Sequence, residues 1–149
     1  AMIAVGLWGA QLGKPATVLL PVTFPLMMAA GGMIGIAGIR APGVEAGIVA
    51  SAVALGLVVA MAARPPLPAS LALVAVFALF HGHAHGTELP PGDSGLAYMI
   101  GSVVSTGLLH AAGIALGLAW RSERGKLVVR AAGGVIAALG VILAVRMIG

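Results

Sequence analysis

The chain has 149 residues, of which 60% are hydrophobic and only 8% charged, with a mean hydropathy of +1.13. Soluble domains carry charge on about a quarter of their residues, so a water-soluble enzyme is excluded at this step. The net charge of +4 comes from Lys and Arg in the turns between apolar runs, so it reports membrane topology rather than a nucleic-acid partner.

Lipid offers no partner for backbone N–H and C=O groups, and the apolar runs far exceed the ~9–11 residues of a barrel strand. The expected fold is therefore all-α: a single domain forming a polytopic membrane helix bundle of six transmembrane helices, the first one truncated. The absence of cysteine excludes disulfides and thiolate ligands, while seven methionines leave thioether sulfur available.

In chain order, the first apolar stretch (1–12) rises only about 18 Å as a helix against a hydrocarbon core of about 30 Å. With no charged segment ahead of Ala1, it reads as a helix whose beginning is absent. The second helix is expected over 16–39, kinked near Thr23 and Phe24 by Pro21 and Pro25, with Gly31 and Gly35 as a packing seam. The third (44–63) opens with Glu45, placed where an acid complements the helix dipole and where Arg40 can pair with it. After the stiff break Arg64-Pro65-Pro66-Leu67-Pro68, the fourth spans about 69–85. An acidic loop, 88–93, contains Pro90, Pro91, Gly92 and Asp93. The fifth (94–120) carries Ser102, Thr106 and His110 at successive i+4 spacings, a line that could equally be hydroxyls bonding their own i−4 carbonyls. Further along it, Gly113 and Gly117 favour close packing. The sixth (127–148) lacks a polar stripe and reads as scaffold.

The stretch from Phe80 to Glu88, FHGHAHGTE, holds three of the four histidines and one of the four acidic residues. Ionisable side chains at membrane depth mark functional sites by default. On a helix His81, His85 and Glu88 share one face, and His83 points nearly the opposite way. Imidazoles and a carboxylate suit a borderline dication such as nickel, cobalt or zinc. Gly82 and Gly86 admit a neighbouring helix, or else let the backbone unwind and offer carbonyl oxygens.

Loop charge orients the bundle. Lys14, Arg64, Arg121, Arg124, Lys126 and Arg130 fall on one side, Arg40 and Arg146 on the other. The basic turns then face the cytoplasm of a bacterial inner membrane, and Glu45 and the histidine stretch face outward at one level. His110 lies about 22 Å along the fifth helix from its outer end, a deeper station.

Phe80-His81-Gly82-x-Ala84-His85-Gly86-x-Glu88 resembles the fourth-helix signature of the HupE/UreJ family of hydrogenase and urease accessory membrane proteins. The stretches AVGLW (4–8), QLG (11–13), PGVEAG (42–47) and LHAAG (109–113) occur in the family's order, so the likeness covers essentially the whole chain. It implies a six-helix permease importing nickel, or sometimes cobalt, for metalloenzyme maturation. Its functional positions carry over to His81, His85, Glu88, Glu45 and Phe24, with His83 on a variable position of the motif. The family's first-helix motif, with its histidine-proline and aspartate-histidine pairs, would lie just before Ala1.

The expected mechanism is capture of a hydrated ion by the outward carboxylates, exchange of water for imidazole at His81 and His85, and passage along Ser102, Thr106 and His110. Uptake should fail as pH drops through the histidine range, because metal ligands must be deprotonated. Nickel or cobalt is cargo here, with no permanently bound cofactor. The oligomeric state is not legible, and the lipid bilayer is the other partner. Two alternatives come from other classes: a haem-binding electron-transfer subunit with His85 and His110 as axial ligands, and a purely structural membrane subunit. Retinal chemistry has no lysine outside the turns, and hydrolytic catalysis has no assembled nucleophile and base.

Overall fold

The computed structural model describes residues 1–90, 92 and 94–149; Pro91 and Asp93 of the expected acidic loop lie outside the described residues. Among the described residues the fold is an all-α membrane bundle of six helices: α1 (Met2–Leu12), α2 (Ala16–Ile36), α3 (Val44–Ala60), α4 (Leu67–Thr87), α5 (Gly95–Gly117) and α6 (Glu123–Ile148). A 3₁₀ segment, Leu118–Arg121, links the last two. Among the described residues four stretches, Ala16–Ile36, Leu67–Thr87, Gly95–Arg121 and Glu123–Ile148, are long and apolar enough to cross a membrane, while Met2–Leu12 and Val44–Ala60 are apolar but shorter. Large apolar side chains such as Val18, Leu26, Met33, Leu108 and Val145 stand exposed on several helices, a surface that only lipid solvates well.

The helix bounds depart from expectation where the chemistry at a terminus decides. α4 starts at Leu67, because proline at the first positions of a helix gives up only an N–H that is unpaired anyway. It runs to Thr87 without unwinding at Gly82 or Gly86. α6 starts at Glu123, because the Ser122 hydroxyl accepts from the Gly125 amide and caps the first turn. α5 opens on the same device, Ser94 accepting from Ala97. α2 stops at Ile36 and α3 at Ala60, each short of the expected end. α2 stays helical through Pro21 and Pro25, which remove the intrahelical donors for the Thr17 and Pro21 carbonyls.

Between lipid-embedded helices there is no hydrophobic driving force, so close packing decides which pair. Three pairs of helices distant in sequence are zipped at glycine. Along α2 and α4, a Cβ at Gly31 would meet the Leu79 carbonyl, one at Gly82 the Met28 carbonyl, one at Gly35 the His83 carbonyl and one at Gly86 the Gly32 carbonyl. Gly6 and Gly113 bring α1 onto α5, and Gly56 and Gly133 bring α3 onto α6. The expected seams at Gly31/Gly35, Gly82/Gly86 and Gly113/Gly117 are thus all used.

The end of the bundle holding the basic turns is tied by side chains that satisfy the last carbonyls of α3 and its exit. Gln11 Nε2 donates to the Val59 carbonyl (3.0 Å), Arg130 Nε to Ala60 (2.8 Å) and Trp8 Nε1 to Ala63 (3.0 Å). Arg64 donates back to the Gln11 carbonyl at 3.1 Å.

Replacing Gly31 with alanine should cost about 1–3 kcal/mol by forcing α2 from α4, whereas Gly134→Ala, whose Cβ would meet open space, should be neutral. Thermal unfolding of the two variants in detergent, followed by circular dichroism, checks the contrast.

Candidate functional site

The α2–α4 seam carries the histidine stretch into the bundle. His81 is buried, and its Nδ1 pairs with the Phe77 carbonyl one turn back at 2.8 Å. A carbonyl can only accept, so Nδ1 carries the proton and Nε2 is left as the free donor atom to a metal. His83, also buried, uses Nε2 to reach the Ile39 carbonyl at 2.7 Å, fastening the α2–α3 loop to α4. Its Nδ1 is buried without a partner among the described residues. His85 is half-buried, with Nδ1 at 3.3 Å from the Tyr98 hydroxyl on α5 and the two rings edge-on. Glu88 caps the helix and is exposed.

Deeper in the bundle, the fully buried Phe24 ring of α2 lies between two imidazoles. Its centroid is 5.5 Å from that of His81 and 5.2 Å from that of His110, both edge-to-face. His110 is 1% exposed, and neither of its ring nitrogens has a hydrogen-bond partner among the described residues. An unpaired buried polar group costs about 1–3 kcal/mol, so such groups call for an explanation. Thr106, one turn earlier on α5, does not bond its own helix; its hydroxyl donates to the Met28 thioether sulfur at 3.6 Å. Within this helix it is Ser105 that bonds the i−4 carbonyl, of Gly101, at 2.9 Å, while Ser102 is half-buried.

The structure therefore joins His81, Phe24 and His110 in one line, with Thr106 beside it. It does not gather the expected outer ligands into one cage: among the described residues, no three His, Asp or Glu side chains stand close enough together to hold a metal ion. Glu45 is exposed at the start of α3, lining a hollow with Ala41, Gly43 and Met147 at the far end of α6. It does share the histidine end of the bundle, because the Ile39 loop that His83 holds leads directly into α3.

Three partners escaped the sequence reading. Met28 was findable as the i+4 neighbour of Phe24 on the same helix face, and Tyr98 as the only tyrosine, near the start of the fifth helix. Ile39 gave no signal, since it contributes only a backbone carbonyl.

Because His83 fastens the α2–α3 loop through one hydrogen bond of about 1 kcal/mol, His83→Leu should speed tryptic cleavage after Arg40 several-fold. Timed proteolysis of reconstituted vesicles measures it.

Comparison with known proteins bears on what this line of residues belongs to. The model of the family described as HupE / UreJ protein matches residues 1–143. Protein HupE of Rhizobium leguminosarum bv. viciae is 41% identical over 145 residues, covering 97% of this chain and 76% of the relative. No solved structure matches. With a match across nearly its whole length and a relative of that identity, the chain belongs to the HupE/UreJ family.

Proposed function

We propose that this membrane protein imports a transition-metal dication, nickel first and cobalt second, to supply hydrogenase or urease maturation, and that it acts as a permease rather than an enzyme. The observation that carries this reading is the Phe24 ring packed between His81 and His110, which links the histidine-rich end of the bundle to a buried imidazole in its middle. His81, His85, Glu88 and Glu45 receive the ion, with His83 holding the loop between them. Phe24, His110, Thr106 and Ser102 line its way inward. The histidine end faces the external phase, and the basic turns, with Arg64, Arg121, Arg124 and Lys126, face the cytoplasm.

The dispersal of these ligands fits transport. A permeating ion must bind well enough to enter and weakly enough to leave, which several partial sites achieve and a closed cage does not. Imidazole nitrogen with one carboxylate at a time gives each station only part of a full coordination shell. Capture begins at Glu88 and Glu45, whose exposed carboxylates attract a hydrated cation before any imidazole replaces water. The ion is cargo, and lipid surrounds the bundle.

In cells expressing the chain, His85→Ala and Glu88→Ala should each lower accumulation of radioactive nickel at least about tenfold, a loss of about 1.4 kcal/mol in transition-state stabilisation. Accumulation equal to that of the unaltered protein in both variants overturns the proposal.

A further inference from the structure

Resting on the transport reading, the inner end of the line raises its own question: what His110 is for. Its two nitrogens are enclosed with no donor or acceptor among the described residues. On α5, Thr106 stands one turn away on the same face; on α2, Phe24 and Met28 are likewise one turn apart. The two helices run in opposite directions through the bundle, so Phe24 is level with His110, and Met28 is level with Thr106. The four side chains form one enclosed patch offering an imidazole nitrogen, a thioether sulfur and a hydroxyl oxygen. All three donor-bearing residues are buried: His110 1% exposed, Thr106 3% and Met28 0%. A packed structural core would accept phenylalanine at 110 without leaving two nitrogens unpaired.

We propose that His110 and Met28, assisted by the Thr106 hydroxyl, form a buried inner binding station for a borderline-to-soft metal ion, with the Phe24 ring lying between the imidazoles of His81 and His110. Sulfur with imidazole selects nickel, cobalt or copper over magnesium and calcium, which prefer oxygen alone. The ion passes from one station to the next when the phenyl ring turns aside. That motion is eased because Pro21 and Pro25, which flank Phe24, have already removed two hydrogen bonds from α2, those to the Thr17 and Pro21 carbonyls. The outer histidine end, having carboxylates, captures; the inner station, having none, discriminates.

The test uses the full chain purified in lipid nanodiscs and loaded with nickel chloride, with magnesium chloride as competitor. X-ray absorption at the nickel edge should show a sulfur scatterer that Met28→Leu removes, a substitution close in volume that keeps the core filled. Nickel uptake in vesicles should fall about tenfold in Met28→Leu and several-fold in Thr106→Val, and excess magnesium should begin to compete only in Met28→Leu. If both variants keep the unaltered rate and the spectrum has no sulfur while His85→Ala abolishes uptake, the inner station is wrong and the transport reading stands. If the unaltered protein moves no nickel, both fall.

Discussion

Everything in this molecule depends on how closely α2 approaches α4. The glycines along that seam place the backbone of one helix against the carbonyls of the other, from Gly31 beside Leu79 to Gly86 beside Gly32. In lipid such contact is gained by dispersion and shape alone, and small residues are what permit it. A single added methyl group would therefore do more here than at an open position. The seam also fixes the chemistry, since Phe24 and Met28 on one helix and His81 and His83 on the other are each held within a turn of a glycine contact.

The second constraint is that buried polar groups need partners, and here they find them mostly in backbone carbonyls of other elements. Gln11, Trp8 and Arg130 complete the end of α3, and His83 completes the loop at Ile39. Against that background the unpaired atoms stand out: Gln11 Oε1, His83 Nδ1 and both nitrogens of His110. Gln11 and His83 each already use their other polar atom in a hydrogen bond, so their position has a structural reason. His110 has no such partner on either nitrogen among the described residues, and that is the ground on which a binding role is proposed for it.

The bundle itself was largely legible from the sequence, because apolar runs near the bilayer thickness and i+4 glycine pairs are local signals. Helix ends were less so. Proline at 68 reads as a breaker until its place in the first turn is known, and Ser122 reads as part of a basic turn until it caps α6. At the site, helical periodicity correctly put His83 on a different face from His81. It could not tell that His83 would hold Ile39 or that Thr106 would turn to Met28, since both partners lie on another element. Periodicity also grouped Glu88 with the imidazoles, yet at the helix cap its side chain is in the open, two turns from His81.

The two ends of the bundle differ in how much must be broken to separate their elements. At the basic end, five side-chain hydrogen bonds cross between elements among the described residues: from Trp8, Gln11, Thr17, Arg64 and Arg130. At the histidine end, the described residues supply two, His83 to Ile39 and the longer His85 to Tyr98 contact. At about 1 kcal/mol for each bond, opening the histidine end is the cheaper distortion by roughly 3 kcal/mol. Low local stability is what a ligand-receiving region requires. The α2–α4 glycine seam reaches this end through Gly35 and Gly86, so what can part there is the α2–α3 loop and the start of α5, while α2 and α4 stay together. On the proposed transport route an ion meets this looser end first, and the enclosed imidazole and thioether beyond it are proposed to decide which ion goes on.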